Sequence, residues 1–312
     1  MLQNNILGKT GFEVSRIGLG TVEIGLAYGI GVGEVPSDAE AERILKTAID
    51  LGITYIDTAR GYGVAEERIG TFGISKLDDV LVGTKCAQFL EQGEDPRGTE
   101  LERRIRADIE ESLQLLRVDS LPLVQLHGGS KEQIERGELI EIMQTLKDEG
   151  KVQHVGIATR GEAAPLAAIE SGFFETIQTA HSILDQRMVA TVLPQAKESE
   201  VGIINRSVLL KGALTPAAKQ LPNELAPLKE NSKQAAAMAA ELGIDLPELA
   251  LRFVLSNDAV STALIGTVTP AHLESAVAAL EAGPLPDDVI AELKKLAIAD
   301  EQQIDPANWP KG

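Results

Sequence analysis

With one cysteine in 312 residues, Cys86, the chain cannot close an internal disulfide, which fits a reducing compartment. Nor does any apolar run approach the roughly 18 to 20 residues that span a bilayer. The opening MLQNNILGKTG lacks the basic-then-apolar pattern of a secretory signal, so a cytoplasmic location without a membrane partner is expected. Basic residues are in deficit: 29 Lys and Arg against 47 Asp and Glu leave a formal net charge of −18. Such a field repels polyanions and argues against nucleic acid as a partner. Aromatic residues make up 3% of the chain, which suits a polar, sugar-like ligand better than a large apolar one. Also missing are an HExxH metal motif, a GxxxxGK[ST] phosphate loop and a nucleophile with a paired base. Hydrolysis and metal chemistry therefore rank low, and no metal is expected.

What is present is alternation. Short apolar segments at Arg16–Thr21, Thr54–Thr58, Val80–Thr84, Leu121–Leu126, Val152–Ala158, Thr176–Thr179, Gly202–Asn205 and Thr262–Ile265 read as strands, each followed by a helical pattern. Ser37-Asp38-Ala39-Glu40 has the form of a capping box and opens a helix whose apolar face (Ile44, Ala48, Ile49, Leu51) stops at Gly52. A hairpin through Lys9-Thr10-Gly11 precedes the first strand, and Asp287–Ala297 reads as an extra terminal helix. Eight strand–helix units are the number that closes a parallel barrel. The expected fold is an α/β (β/α)8 TIM barrel with an N-terminal β-hairpin and an extra C-terminal helix, a single domain over 1–312. Gly20–Gly33 reads as a pliable rim loop. Leu214–Asn231, rich in Pro, Lys and Ala, reads as a loop on the active face and a candidate lid, ahead of a helix Ser232–Gly243.

Barrels of this type place their chemistry at the carboxyl ends of the strands. Asp57 closes the second strand with Tyr62 five residues on, LVGTK ends the third at Lys85, and LPLVQLH ends the fourth at His127. A phenol with an unperturbed pKa near 10 is a poor acid at neutral pH. An adjacent ammonium is expected to lower it, and a carboxylate keeps that ammonium charged and aimed. His127 is placed to donate to a carbonyl oxygen. A carbonyl that gains a proton must also gain a hydride, which no side chain supplies, so a nicotinamide cofactor is implied. His154, early in the fifth strand, reads as structural, whereas His181 and His272 follow strands and are placed to touch ligand.

The motifs LGKTG…VSRIGLGT, IDTARGYGVAEERIG, LVGTK, LVQLH, VGIATRG, IQTAHSILDQR and IGTVTPAHLE together resemble the aldo-keto reductases over nearly the whole chain. That resemblance implies an NAD(P)H-dependent oxidoreductase acting on an aldehyde, ketone or sugar, with Tyr62 as general acid, Lys85 and Asp57 tuning it and His127 orienting the carbonyl. It also implies cofactor contacts from Gly20, Thr21, Val22, Asp57, Thr159, Gln178, Arg206, Ser207, Leu209, Gly266, Thr267, Val268, Thr269 and His272. The chain departs from the family pattern in three places. Ala158-Thr159 replaces the usual Ser-Asn, Arg206 stands where many members stack an aromatic ring on the nicotinamide, and Ser275-Ala276 replaces the Glu-Asn that meets adenine. NADP(H) is the expected cofactor, with NAD(H) or dual use as the alternative. A guanidinium over the ring would disfavour the cationic oxidised form, so tighter binding of the reduced cofactor is expected; the alternative turns Arg206 away and leaves Ser207 in contact. A monomer or weak homo-oligomer with a small carbonyl or sugar substrate completes the picture. Two other readings share the barrel: a non-catalytic subunit that senses the cofactor, and an isomerisation or elimination in which the nicotinamide is recycled.

Overall fold

The computed structural model describes residues 2–28 and 34–310, so part of the Gly20–Gly33 rim loop lies outside the described residues. Eight strands form a closed barrel: β1 (Ile17–Gly20), β2 (Tyr55–Asp57), β3 (Leu81–Cys86), β4 (Leu121–His127), β5 (Val152–Ala158), β6 (Thr176–Ala180), β7 (Gly202–Arg206) and β8 (Val260–Gly266). All neighbours are parallel, and β8 returns to pair with β1. The helices between the strands complete the (β/α)8 architecture. Register aligns the strand ends: Gly20 lies opposite Asp57, Lys85 opposite Gln125, and His127 opposite Ala158, which in turn lies opposite Gln178.

The hairpin forms as Asn4–Ile6 against Glu13–Ser15 and plugs the amino-terminal end of the barrel. There Leu7 and Val14 join Tyr55, Leu81, Leu123 and Ile204 in a small inner core. Tyr55 is fully buried and needs space that its neighbours on β1 and β3 supply by lacking side chains. A Cβ on Gly18 would stand 2.8 Å from the Tyr55 ring, and one on Gly83 2.5 Å from its hydroxyl. The larger core lies between strands and helices, where the apolar face of Asp38–Asp50 buries Ile44, Leu45 and Ala48. Burying each such aliphatic side chain contributes about 1.5–3 kcal/mol, Ala less. The Ser37–Glu40 capping box forms at the start of that helix.

Three segments differ from the sequence reading. Leu214–Asn231 is not a loop: it forms 3-10 turns at Pro216–Gln220 and Asn223–Leu225, then enters a helix, Ala226–Glu241, six residues ahead of the expected start. Pro227 lies in that helix's first turn, where a missing N–H breaks no bond. Second, the helical pattern after β6 divides into a 3-10 turn at Arg187–Val189 and a helix at Val192–Glu198, because Thr191 takes a non-helical backbone (φ −129°, ψ −67°). The terminal helix is shorter than expected, Asp287–Lys294. Beyond it the chain packs back: Ile304 and Trp309 are buried, and Trp309 Nε1 donates to the Gln303 carbonyl at 2.8 Å. Among the described residues no helix is long and apolar enough to cross a membrane.

Candidate active site

Lys85 comes from the penultimate position of β3 and points into the barrel, 1% exposed. Its ammonium lies 2.5 Å from Asp57 Oδ2, donates to the Thr58 carbonyl at 3.0 Å and reaches the Tyr62 hydroxyl at 3.4 Å. Asp57 is 2% exposed. Its other oxygen accepts from Gln178 Nε2 at 2.7 Å and, at longer range, from Gln125 Nε2 and the Tyr55 hydroxyl. Burial presses the Lys85 pKa down, but Asp57 and Tyr62 raise it further, and the net direction is above an ordinary lysine. The ammonium therefore stays charged.

The turn carrying Tyr62 is held on both sides. The Arg60 N–H donates to the Lys85 carbonyl, the Tyr62 N–H to the Ala59 carbonyl, and Arg60 pairs with buried Glu66, which also accepts from Thr84 Oγ1 at 2.6 Å. Tyr62 thus reaches the cavity from a fixed base. The expectation that Lys85 lowers its pKa is not met in this ligand-free site. Burial raises the phenol above its ordinary value and outweighs the opposing pull of Lys85, with Asp57 adding to the rise. The phenol is consequently protonated at neutral pH. His127 ends β4 with its ring edge-on to Tyr62, centroids 5.8 Å apart. Burial first, then Lys85, brings its pKa down to about 4, so the imidazole is neutral.

A cavity of about 1720 Å³ opens at this end of the barrel and extends from Tyr62 past β7 and β8. Of the expected cofactor residues, Gly20, Thr21, Val22, Asp57, Gln178, Arg206, Ser207, Leu209, Gly266, Thr267, Val268, Thr269 and His272 all line it. Thr159 lies buried behind Arg206, whose Nη2 donates to the Thr159 carbonyl at 3.1 Å. His272 Nδ1 lies 2.9 Å from Thr267 Oγ1, whereas His181 is buried against Phe253 and away from the cavity. His154 pairs with Glu175 at 2.9 Å, a structural contact near the start of β5. Among Tyr28, Phe89 and Trp309, only Tyr28 lines the cavity. Phe89 is buried beneath the Arg104 guanidinium, 3.8 Å from its ring centroid, and Trp309 is buried in the C-terminal segment. Cys86 is buried, and burial holds its thiol well above the ordinary range.

The sequence reading missed several groups. Lys211, Lys219, Lys229 and Lys233 line the cavity, and among the described residues neither they nor Arg206 forms an ion pair; Lys229 and Arg206 instead donate to backbone carbonyls. Their signal was a locally basic run inside an acidic chain. Arg160 also lines the cavity, and Glu91 pairs with Arg160 while its other oxygen lies 3.3 Å from His127 Nε2.

A parallel barrel with a buried Lys–Asp pair under a tyrosine, beside a cavity larger than an ordinary ligand pocket, defines a class: barrel oxidoreductases. The Aldo/keto reductase family model matches residues 16–298, and the chain belongs to that family. It is 31% identical to L-galactose dehydrogenase of Arabidopsis thaliana over 98% of this chain and 96% of that one. Identity to D-threo-aldose 1-dehydrogenase of a Pseudomonas species is 28%, covering 91% and 94%. Among solved structures, aldo-keto reductase AKR11C1 from Bacillus halodurans, holo form, superposes with a TM-score of 0.80 at 27% identity, covering 98% of this chain and all of that one.

Proposed function

We propose that this chain is a cytoplasmic, single-domain NAD(P)H-dependent enzyme that interconverts the carbonyl and alcohol of a small aldehyde, ketone or sugar. The observation that carries the reading is the buried Asp57–Lys85 pair with the Tyr62 hydroxyl 3.4 Å from the ammonium, at the wall of the cavity. Tyr62 donates its proton to the substrate oxygen, the Lys85 ammonium stabilises the phenolate left behind, and Asp57 holds that ammonium charged and aimed. His127, neutral, offers an N–H to the same oxygen. A bound nicotinamide dinucleotide supplies the hydride.

The residues present fit such a group. The cavity is large enough for a dinucleotide, and its unpaired cations suit a pyrophosphate. Gln178 is placed for the carboxamide, and Lys219, Lys229 and Lys233 supply the charge that favours a 2′-phosphate, with His272 and Thr267 as further polar partners, which supports NADP(H) over NAD(H). Two relatives named as sugar dehydrogenases support a sugar or related polar aldehyde as substrate. The test is a fluorescence titration with NADPH, NADH, NADP⁺ and NAD⁺, followed by a carbonyl screen with the tightest binder. NADPH binding with turnover is expected. Failure of all four forms to bind overturns the reading, and binding without turnover of any carbonyl favours a cofactor sensor.

A further inference from the structure

Glu23 belongs to the 3-10 turn Val22–Ile24 that follows β1, and this turn is docked on both catalytic elements beside it. Thr21 donates its N–H and its Oγ1 to the Asp57 carbonyl, at 3.0 and 2.9 Å. Gly25 lies against the turn that carries Tyr62; a Cβ there would stand 1.9 Å from the Tyr62 carbonyl oxygen, a backbone atom. Arg68, on the helix after Tyr62, donates to the Ile24 carbonyl. Glu23 is therefore presented from a fixed base, as Tyr62 is, and on the same rim.

The Glu23 side chain lines the cavity and packs over the end of β8, in the space that Gly266 leaves; a Cβ on Gly266 would stand 2.3 Å from Glu23 Oε1. Oε2 is buried and accepts no hydrogen bond among the described residues, and no cation among them forms an ion pair with this group. A buried carboxyl left without a donor opposes folding. A ligand can supply that donor, and its chemistry is narrow. A carboxylate only accepts, so its partner must donate, which excludes the phosphates of a dinucleotide. The abundant neutral donors on a dinucleotide or a sugar are hydroxyls. Other dinucleotide-binding folds hold ribose hydroxyls with an acid in this way. We propose that Glu23 is a ligand-binding residue that accepts hydrogen bonds from adjacent hydroxyls of a sugar ring in the cavity, either the ribose of the dinucleotide or the substrate itself.

This role rests on the oxidoreductase reading, and the two fail differently. The test compares wild type with Glu23→Met and Glu23→Gln at pH 8, by fluorescence titration with NADPH and NADH and by kcat/KM for an aldopentose and for pentanal, which has the same chain length and no hydroxyl. Removing an unpaired buried carboxyl does not weaken the fold, so affinity lost in these variants is not lost structure, and melting curves check this. If the ring is the ribose, affinity for the reduced dinucleotide should fall on the order of ten- to a hundredfold in Glu23→Met, the range for hydrogen bonds to a charged group. The fall should be smaller in Glu23→Gln, whose amide oxygen still accepts. If the ring is the substrate's, the same loss should appear in the ratio of kcat/KM for the aldopentose to that for pentanal at saturating cofactor. Dinucleotide binding as tight as wild type, or tighter as relief of phosphate repulsion would make it, together with an unmoved ratio, would overturn the assignment and leave the oxidoreductase reading standing. Wild-type protein that binds neither dinucleotide would remove both.

Discussion

The Lys85 ammonium and the Asp57 carboxylate meet at 2.5 Å inside the barrel, both almost wholly out of water. Removing one partner strands the other as a buried, unpaired charge, which destabilises by about 3–5 kcal/mol, whereas replacing both with apolar groups of similar volume is close to neutral. Lys85→Met and Asp57→Leu should each lower the urea midpoint sharply, and the double variant should recover most of the loss while remaining inactive. Additive losses in the double-mutant cycle would show that the pair is not coupled.

The protonated state of Tyr62 sets a pH limit. Because burial raises its pKa above the ordinary phenol value, carbonyl reduction should hold level through neutral pH and fall only above about pH 10. A decline in kcat/KM already complete by pH 8 would mean that Lys85 dominates after all, or that another group supplies the proton.

His181 is buried, accepts no role at the cavity and has its pKa brought down to about 4 by burial. The folded state therefore resists a proton that the unfolded chain takes up near pH 6.5. Stability is full above about pH 6.5 and is lost as pH falls toward 4, by about 3 kcal/mol for this one residue. His181→Gln should flatten that part of the stability curve in urea unfolding at stepped pH. An unchanged slope between pH 6.5 and 4 would place the loss elsewhere.

Glu23 behaves in the opposite sense. It lines the cavity with Oε2 buried and unpaired against Gly266, and burial raises its pKa to about 7. The folded state then binds a proton that the unfolded chain releases near pH 4.3 to 4.5, so this residue's penalty grows from there to about pH 7 and is largest above it. Glu23→Gln should raise the melting temperature at pH 8, by the equivalent of up to about 3 kcal/mol, and leave it nearly unchanged at pH 4. Equal effects at both pH values would contradict an ionisation mechanism.

The strand ends were legible because punctuation and apolar runs are local. Asp57, Lys85 and His127 each terminate a short β-branched or leucine-rich segment, and parallel pairing then sets them on one rim. Tyr62 was legible from its offset to Asp57, but the direction of its pKa shift was not, since that depends on how much protein surrounds the ring. Glu91 and Arg160 are 69 residues apart and meet through tertiary packing of two connecting segments; nothing local marks either one. The cavity lysines were hidden for a different reason. Pro222 and Pro227 made the segment read as a loop, although Pro227 sits in a first helical turn that tolerates it. His181 misled because position after a strand says nothing about which way the chain turns next.

The most direct measurement is NADPH oxidation with an aldose or short aldehyde by wild type and Tyr62→Phe, with NADPH affinity determined for both proteins by fluorescence. The expected result is turnover in the wild type, a fall of at least about a hundredfold in kcat for Tyr62→Phe, and equal cofactor affinity. Full rate in Tyr62→Phe would contradict the assignment of Tyr62 as the proton donor, and wild-type protein that neither binds nor oxidises NADPH or NADH would contradict the proposed chemistry as a whole.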